Sequence, residues 1–255
     1  MLTTLQYKVL KALFPGEPRG MDGSAYTGKS KLQVLLGSEL LGEISGKTVV
    51  DFGCGEGHES VGLARSGAGK VIGVDIRESV LEKARLRARE EGVADRCEFT
   101  ARPEEKADLI VSIDSFEHFS DPADILRIMH GLLRPGGAVL ASFGPTWYHP
   151  LGGHLFSVFP WAHVLFSERA LIRWRADIRS DGATRFGEVD GGLNQMTIGR
   201  FERLVEASPY FGLESMEAVP IGRLRPAHNR LTREFTTAIV RARLRRKDGA
   251  AGTGV

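Results

Sequence analysis

Three alternate glycines follow an acid-containing apolar segment, in a pattern that suits a cofactor loop. Residues 49–52 read Val-Val-Asp-Phe, and Gly53, Gly55 and Gly57 come directly after them. Such an apolar run indicates a strand buried on both faces of a parallel sheet, and glycine permits a sharp turn and a close approach of the main chain to a ligand. A second apolar segment ends in Asp75, which could bind the two ribose hydroxyls of an adenosine. We therefore expect a cofactor that contains adenosine.

The spacing argues against a nicotinamide dinucleotide site, because the last glycine of G-x-G-x-x-G falls on His58. The glycines together with Asp51 instead resemble the first motif of the S-adenosylmethionine-dependent methyltransferases with a Rossmann-like fold. Residues 110–122, IVSIDSFEHFSDP, resemble the fourth strand and the Glu-His-x-x-Asp-Pro turn of this family. Residues 132–140, LLRPGGAVL, resemble the helix end, turn and fifth strand that follow. The pattern is most similar to small-molecule methyltransferases of ubiquinone and menaquinone biosynthesis.

This resemblance implies that the cofactor is S-adenosylmethionine. Asp51 would help to fix its methionyl part and Asp75 its ribose. The adenine would contact either the main chain at Ala101 or the side chain of Glu104, and Asp114 would either bind the cofactor or cap a turn. The predicted cofactor residues are Asp51, Gly53, Cys54, Gly55, Gly57, Asp75, Ile76, Ala101, Glu104, Ile113, Asp114 and Tyr26.

One segment points to a different class of protein. Residues 23–30, GSAYTGKS, match the phosphate-loop pattern of nucleotide hydrolases. A genuine phosphate loop follows a buried strand, whereas residues 15–22 are rich in proline and glycine and cannot form one. We expect this segment to lead into a helix that covers the cofactor. Tyr26 would then either lie near the sulfonium, which an aromatic face attracts, or simply pack.

The alternation of strand and helix patterns predicts one Rossmann-like α/β domain over residues 1–255. Its sheet would be doubly wound and seven-stranded, mainly parallel, with an antiparallel last strand. Strands are expected at 49–52, 71–74, 97–100, 108–113, 138–143, 213–219 and 234–243. Helices are expected at 2–14, 29–41, 58–65, 121–133, 197–207 and from a capping box at Ser79 and Glu82 to Gly92. The parts would be an N-terminal helical cover (1–45), a cofactor-binding core (46–145), an insertion (146–196) and a C-terminal helix with a strand pair (197–245).

The insertion contains the three tryptophans of the chain and several other aromatic residues. Ligands of open α/β sheets bind at the carboxyl ends of the strands, so an aromatic insertion after strand five predicts a substrate lid. The alternative is a small satellite core. Under the first interpretation the acceptor is apolar or aromatic, and Arg173 or Arg175 could bind a carboxylate or phosphate on it. The predicted acceptor contacts are Trp147, Tyr148, Phe156, Trp161 and Asn194.

Histidines supply the candidate base for methylation of a hydroxyl, which we slightly favour. His149 and His154 flank a Pro-Leu-Gly-Gly turn beyond strand five, and His118 belongs to the Glu-His turn, where it could also only support the loop. His118, His149 and His154 are the candidate catalytic residues, and His163 is expected to pack. A metal site from His149, His154 and a carboxylate matches no standard spacing, so no metal is predicted.

The composition is that of an ordinary soluble protein. The 255 residues carry a formal net charge of +2, which gives no reason to expect nucleic acid as a partner, and the arginines of 241–247 would form a frayed tail. Two cysteines cannot build a disulfide framework, and no apolar run is long enough for a membrane span, so we expect a cytoplasmic protein. We expect methyl transfer to a small-molecule acceptor; the alternatives are a catalytically inactive cofactor- or partner-binding protein of this fold and, remotely, a nucleotide hydrolase.

Overall fold

A seven-stranded sheet is the centre of the computed structural model, which describes residues 2–16, 31–37, 42–179 and 181–249. Its strands are β1 Thr48–Phe52, β2 Lys70–Val74, β3 Cys97–Thr100, β4 Ala107–Ile113, β5 Leu133–Phe143, β6 Phe211–Pro220 and β7 Thr237–Arg246. The strand order is β3-β2-β1-β4-β5-β7-β6. Strands β1 to β5 pair in parallel, and β7 is antiparallel to both of its neighbours. The predicted Rossmann-like sheet with an antiparallel last strand is confirmed.

Helices pack on both faces of this sheet. Among the described residues they are α1 Leu2–Leu13, α2 Lys31–Leu36, α3 His58–Arg65, α4 Glu78–Glu90, α5 Pro122–Leu132, α6 Ala162–Leu165, α7 Glu168–Ala176, α8 Ile198–Ala207 and α9 Arg233–Thr236. Short 3₁₀ turns lie at His154–Phe156, Phe186–Glu188 and Gly222–Ala227. None of the described helices combines the length and apolarity that crossing a bilayer requires.

Alternate residues of each central strand enter two separate cores. Val49 of β1 packs in a layer with α2, α3 and α4, whereas Val50 packs in the opposite layer with α5 and α8. This is the arrangement of a parallel sheet covered on both faces, and it explains the near-continuous apolar strands. A third, smaller core joins α1 to α7 of the insertion; Tyr7 Oη donates to Asp177 Oδ2 (2.8 Å) and Trp174 Nε1 donates to the Phe14 carbonyl (2.9 Å).

Helix α4 starts earlier than predicted, and the capping box at Ser79 and Glu82 is wrong. The helix begins at Glu78 with Arg77 as its N-cap residue, and no side chain of its own caps it. The carboxylate of Asp75 accepts the Arg77 main-chain N–H instead (3.0 Å), so the acid at the end of β2 supplies a hydrogen bond just before the helix.

Helix α2 and the last strand also differ from the prediction. Helix α2 ends at Leu36 because Gly37, with φ of +78°, ends it in a left-handed turn. Strand β7 begins only at Thr237, after the helical turn α9. It extends to Arg246, so the predicted frayed arginine tail is wrong. Its arginines pair with acids of neighbouring segments: Arg241 with Glu217, Arg243 with Glu43 and Glu214, Arg245 with Glu214 and Arg246 with Asp248.

Strand β5 begins at Leu133, five residues before its predicted start. Leu133 pairs with Ala107, and the pairing register then shifts before Leu109 pairs with Ala138. The predicted Gly136–Gly137 turn therefore lies inside β5, where the strand pairing is irregular.

Candidate active site

The glycine loop (residues 53–57) lies where the strand order reverses between β1 and β4. Such a switch point opens a crevice at the carboxyl ends of the strands, because the connections on its two sides leave in opposite directions. Two hydrogen bonds dock the loop on the end of β2: the main-chain N–H groups of Gly53 and Cys54 both donate to the Val74 carbonyl, at 2.8 and 3.0 Å. The loop is thereby fixed next to Asp75.

Two of the loop glycines have different roles. A Cβ at Gly57 would lie 2.7 Å from Ala84 Cβ and 3.1 Å from Phe99 Cε1, so this glycine permits close packing of protein on protein. A contact of its main chain with the cofactor stays a prediction. A Cβ at Gly55 would meet no described atom within 4 Å. Within the part of the chain that the structure describes, the main chain at Gly55 therefore borders open space, as a cradle for a ligand requires.

Asp51 and Cys54 lie beneath the loop rather than on its open side. Asp51 is 2% exposed, and its Oδ2 accepts a hydrogen bond from Ser60 Oγ (2.6 Å), which ties β1 to the first turn of α3. The Cys54 thiol is buried, and burial, followed by the charges of Asp51 and Asp75, raises its pKa well above the ordinary range. Both side chains position the loop in this structure, and the contacts of Asp51 and Cys54 with the cofactor stay predictions.

Asp75 and Ile76 are placed as cofactor contacts require. The Asp75 carboxylate is 8% exposed at the edge of the crevice and accepts the Gly55 N–H through Oδ2 (3.2 Å). Burial raises its pKa, but hydrogen bonds and charge from Arg77 outweigh that effect, and the pKa is lowered overall. The carboxylate is thus ionised and a strong acceptor. Ile76 is 91% exposed and offers a flat apolar surface next to it, suited to an adenine.

The remaining predicted cofactor residues follow β3 and β4 at the same edge. Ala101 is exposed directly after β3, and Glu104 is exposed three residues further along the loop. Ile113 is buried at the end of β4. Asp114 follows it in a left-handed conformation with φ of +48°, and its N–H donates to the Ser142 carbonyl (2.8 Å). Their contacts with a cofactor stay predictions.

These residues fit S-adenosylmethionine on three independent features: the open cradle at Gly55, the ionised Asp75 carboxylate and the exposed Ile76. Tyr26 and the phosphate-loop-like segment 23–30 lie outside the described residues.

Two of the three candidate catalytic histidines meet at the loop that follows β4. The rings of His118 and His154 are 5.2 Å apart and nearly perpendicular. His118 Nδ1 lies 2.8 Å from the Gly192 carbonyl oxygen, which can only accept, so Nδ1 carries a proton and the lone pair of the neutral ring is on Nε2. Burial, followed by the charge of His118, lowers the pKa of His154 to about 4, so His154 is neutral at pH 7.

Glu117 completes this group. Ligand atoms of Glu117, His118 and His154 lie within 4.8 Å of one another, close enough to hold a divalent cation. The metal site considered from the sequence combined His154 with His149. In the structure, His154 lies next to Glu117 and His118 instead. Glu117 also accepts the Gly144 N–H through Oε1 (3.2 Å), which links the loop after β4 to the end of β5.

His149 and His163 are engaged elsewhere. His149 Nδ1 accepts the Leu151 N–H (2.9 Å), and burial lowers the pKa of His149 to about 4. Its single proton is therefore on Nε2, which can donate but has no lone pair for a general base, so the predicted role of His149 as base is wrong. His163 is buried, with Nε2 2.6 Å from the Trp147 carbonyl and Nδ1 2.9 Å from Ser157 Oγ; its predicted packing role is confirmed.

Comparison with known proteins identifies the part of the chain that holds the cofactor loop. The model of a family described as "Methyltransferase domain" matches residues 43–146. The ubiquinone biosynthesis O-methyltransferase of Pseudomonas paraeruginosa is 42% identical over 105 residues, which are 39% of this chain and 45% of that protein. The enzyme of the same name from Bordetella pertussis is 38% identical over 112 residues, 41% of this chain and 45% of that protein. Residues 43–146 of the chain therefore match a methyltransferase domain.

The matched segment spans less than half of the length of these relatives. Solved structures extend the likeness in fold to most of the chain. An S-adenosylmethionine-dependent methyltransferase from Mesorhizobium loti has a TM-score of 0.54 at 22% identity, over 80% of this chain and 93% of that one. The [4+2]-cyclase SpnF has a TM-score of 0.53 at 15% identity, over 83% and 80%. The predicted fold is confirmed, and the match of residues 43–146 to a methyltransferase domain agrees with the predicted cofactor.

The insertion follows the methyltransferase domain and builds a core of its own. Phe156 is 2% exposed, 4.7 Å from the ring of Phe186, and Trp174 is buried in the same cluster. The satellite-core alternative therefore holds for Phe156, and its predicted contact with the acceptor is wrong. Arg175 is buried against Asp181 at 2.5 Å, and Arg173 lies over the ring of Tyr7, so the structure offers no support for either as an anion-binding residue.

The other predicted acceptor residues are half-buried along the boundary between the insertion and the sheet. Trp147 packs on His163, Tyr148 stacks on Phe235 at 5.3 Å, and Trp161 Nε1 donates to the Tyr148 carbonyl (2.9 Å). These three stay predicted acceptor contacts.

Asn194 braces the loop after β4. Its Nδ2 donates to the carbonyls of Phe116 (2.6 Å) and Phe119 (2.8 Å), and its N–H donates to that of Glu117 (2.9 Å). We interpret it as a positioning residue of the loop that carries His118.

Sequence reasoning missed Arg77 and Glu117. Arg77 binds the Asp75 carboxylate, and Glu117 completes the group with His118 and His154. Glu117 could have been found from its place beside His118 in the Glu-His turn. The only sequence signal for Arg77 was its position two residues after Asp75, the predicted ribose-binding acid.

Proposed function

We propose that the protein transfers a methyl group from S-adenosylmethionine to a hydroxyl group of a small-molecule acceptor, with His118 as general base. The observation that carries the proposal is the hydrogen bond from His118 Nδ1 to the Gly192 carbonyl. It fixes the ring orientation and the tautomer, so that the lone pair of Nε2 is available for a proton.

The surroundings of His118 favour a polar reacting group. Six buried polar atoms in the segments at this edge of the sheet have no hydrogen-bond partner among the described residues: Ser112 Oγ, Ser142 Oγ, Thr146 Oγ1, His154 Nε2, Asn194 Oδ1 and Thr237 Oγ1. Buried polar groups nearly always bind a partner, so such a concentration is typical of a place that holds a polar ligand or ordered water. We therefore infer an acceptor with several polar groups rather than a wholly apolar one.

His154 contributes to binding rather than to proton removal. Its pKa of about 4 makes it a weaker base than a group matched to neutral pH. Its neutral ring still offers one donor and one acceptor beside His118, which suits a hydrogen bond to the acceptor molecule.

When bound, S-adenosylmethionine supplies a methyl group on a sulfonium, whose carbon–sulfur bond breaks as the acceptor oxygen bonds the carbon. The residues of the chain align the cofactor with the acceptor and remove the proton of the acceptor hydroxyl. The ionised Asp75 and the cradle at Gly55 fix the adenosine end, and alignment of this kind can contribute about 7–11 kcal/mol. His118 takes the hydroxyl proton on Nε2, and the resulting imidazolium keeps its Nδ1–H on the Gly192 carbonyl.

The test is a labelled-methyl transfer screen over metabolite extracts, followed by kinetics of His118→Ala and His118→Asn with the acceptor found. The asparagine variant keeps an N–H for the Gly192 carbonyl but has no basic nitrogen. We expect kcat to fall about 10²–10⁴-fold in both variants at nearly constant affinity for S-adenosylhomocysteine.

His130 provides a matched control, because it lies at the last turn of α5, near Tyr210, far along the chain from the cofactor loop. His130→Ala should keep its turnover. Full activity in both His118 variants would contradict the general-base role. Cofactor binding without turnover on any extract would favour a catalytically inactive binding protein of the same fold.

A further inference from the structure

Every acceptor position of the Asp75 carboxylate is filled by the protein itself. Oδ1 accepts from the main-chain N–H of Arg77 (3.0 Å) and from its Nε (3.1 Å). Oδ2 accepts from the Gly55 N–H (3.2 Å) and from Arg77 Nη2 (3.2 Å). An ionised carboxylate has about four lone-pair sites, so none is left for the two hydroxyls of a ribose.

Two of these four hydrogen bonds come from the main chain and are part of the fold. The Gly55 N–H is held by the docked glycine loop, and the Arg77 N–H lies at the start of α4. The other two come from the Arg77 guanidinium, which is at the surface: the side chain is 61% exposed, against 8% for Asp75. Removing the guanidinium frees one site on each carboxylate oxygen, which matches the two hydroxyls of a ribose one for one.

We propose that Arg77 competes with the ribose of the cofactor for Asp75, and that the Arg77 guanidinium leaves Asp75 when the cofactor binds. This inference rests on the proposed use of S-adenosylmethionine. The exchange keeps the number of hydrogen bonds to Asp75 constant and breaks a half-exposed ion pair. Arg77 therefore lowers cofactor affinity by the strength of that pair, and it selects for ligands that carry both hydroxyls.

The first experiment measures S-adenosylhomocysteine affinity by calorimetry in Arg77→Ala and in Arg77→Met, which keeps the length of the side chain without its donors. Both should bind about 1.4- to 5-fold more tightly than wild type, the range of an exposed ion pair. Arg89→Ala is the matched control, since Arg89 is exposed on the same helix and its loss changes the net charge equally. Unchanged or weaker binding in both Arg77 variants, with intact melting curves, would overturn the proposal.

A second experiment compares adenosine with 2′,3′-dideoxyadenosine as probes. The gain in the Arg77 variants should appear with adenosine and vanish with the dideoxy compound, because only the former needs the two sites. An equal gain with both probes would assign the effect to general electrostatics and overturn the competition. If wild type binds neither S-adenosylhomocysteine nor adenosine, the proposed function fails; if it binds them and the Arg77 variants show no gain, only the competition fails.

Discussion

An alanine at Gly57 is expected to lower the free energy of unfolding by about 2–5 kcal/mol. Gly57 has φ of +79°, and a left-handed conformation costs an L-residue about 1–2 kcal/mol. The new Cβ would also lie 2.7 Å from Ala84 Cβ and 3.1 Å from Ala84 Cα, in the packed contact between α3 and α4. Overpacking of this kind typically costs about 1–3 kcal/mol, and the sum of the two effects gives the range.

Gly55→Ala is the matched comparison two residues away. Gly55 also has positive φ (+50°), but a Cβ there meets no described atom within 4 Å. We expect only the backbone cost of about 1–2 kcal/mol in stability. The methyl group would stand in the cradle, so affinity for S-adenosylhomocysteine should fall at least about tenfold, or 1.4 kcal/mol.

Urea denaturation measures the first quantity for both variants, and calorimetry measures the second for Gly55→Ala. An unchanged slope with a shifted midpoint would show that stability alone has changed. The assignment of Gly57 to packing and Gly55 to the ligand is refuted if the two variants lose equal stability or if Gly55→Ala binds normally.

Three further expectations concern acid, an ion-pair network and metal. Burial lowers the pKa of His149 and His154 from 6.5 to about 4. The free energy of unfolding should therefore be full above pH 6.5 and fall progressively until about pH 4, by up to about 3 kcal/mol for each histidine. Urea midpoints at several pH values measure this loss, which should be smaller in His154→Phe. Arg243→Ala breaks half-buried pairs with Glu43 and Glu214 and should cost about 1 kcal/mol in the same assay, whereas a loss below 0.2 kcal/mol would show that the pairs are without consequence. Chelation should leave methyl turnover unchanged if His118 is the base, whereas a loss that divalent cations restore would assign His118, His154 and Glu117 to a metal site.

The sheet and the position of Asp75 could be predicted because each follows from short-range pattern. Buried parallel strands are continuous apolar runs, and the acid at the end of the second run, Asp75, must lie at the edge where the glycine loop also ends. The roles of Gly57, Asp51 and Cys54 could not be separated from those of Gly55 in this way. Only the packing of α4 and of Phe99 against the loop shows which atoms face protein and which face the crevice.

The acceptor side depended on contacts between distant segments. His154 meets His118 because it takes a left-handed conformation (φ of +51°) after the Gly152–Gly153 turn, and nothing in its local sequence specifies that. The arginines of β7 were mistaken for a tail because their partners, among them Glu43 and Glu214, come from other parts of the chain. Phe156 looked like a lid residue because a satellite core and a binding surface have the same aromatic composition.

The central claim is that the ribose site at Asp75 serves methyl transfer. The measurement that tests it most directly is the transfer of a labelled methyl group from S-adenosylmethionine into a metabolite extract by the wild type and by Asp75→Ala. We predict labelled product with the wild type and, in the variant, an S-adenosylmethionine affinity lower by about 1.5–3 kcal/mol, the scale of a hydrogen bond to a charged group. Equal labelling by the two proteins at S-adenosylmethionine concentrations below saturation would contradict the site, and tight ATP binding without any methyl transfer would contradict the function.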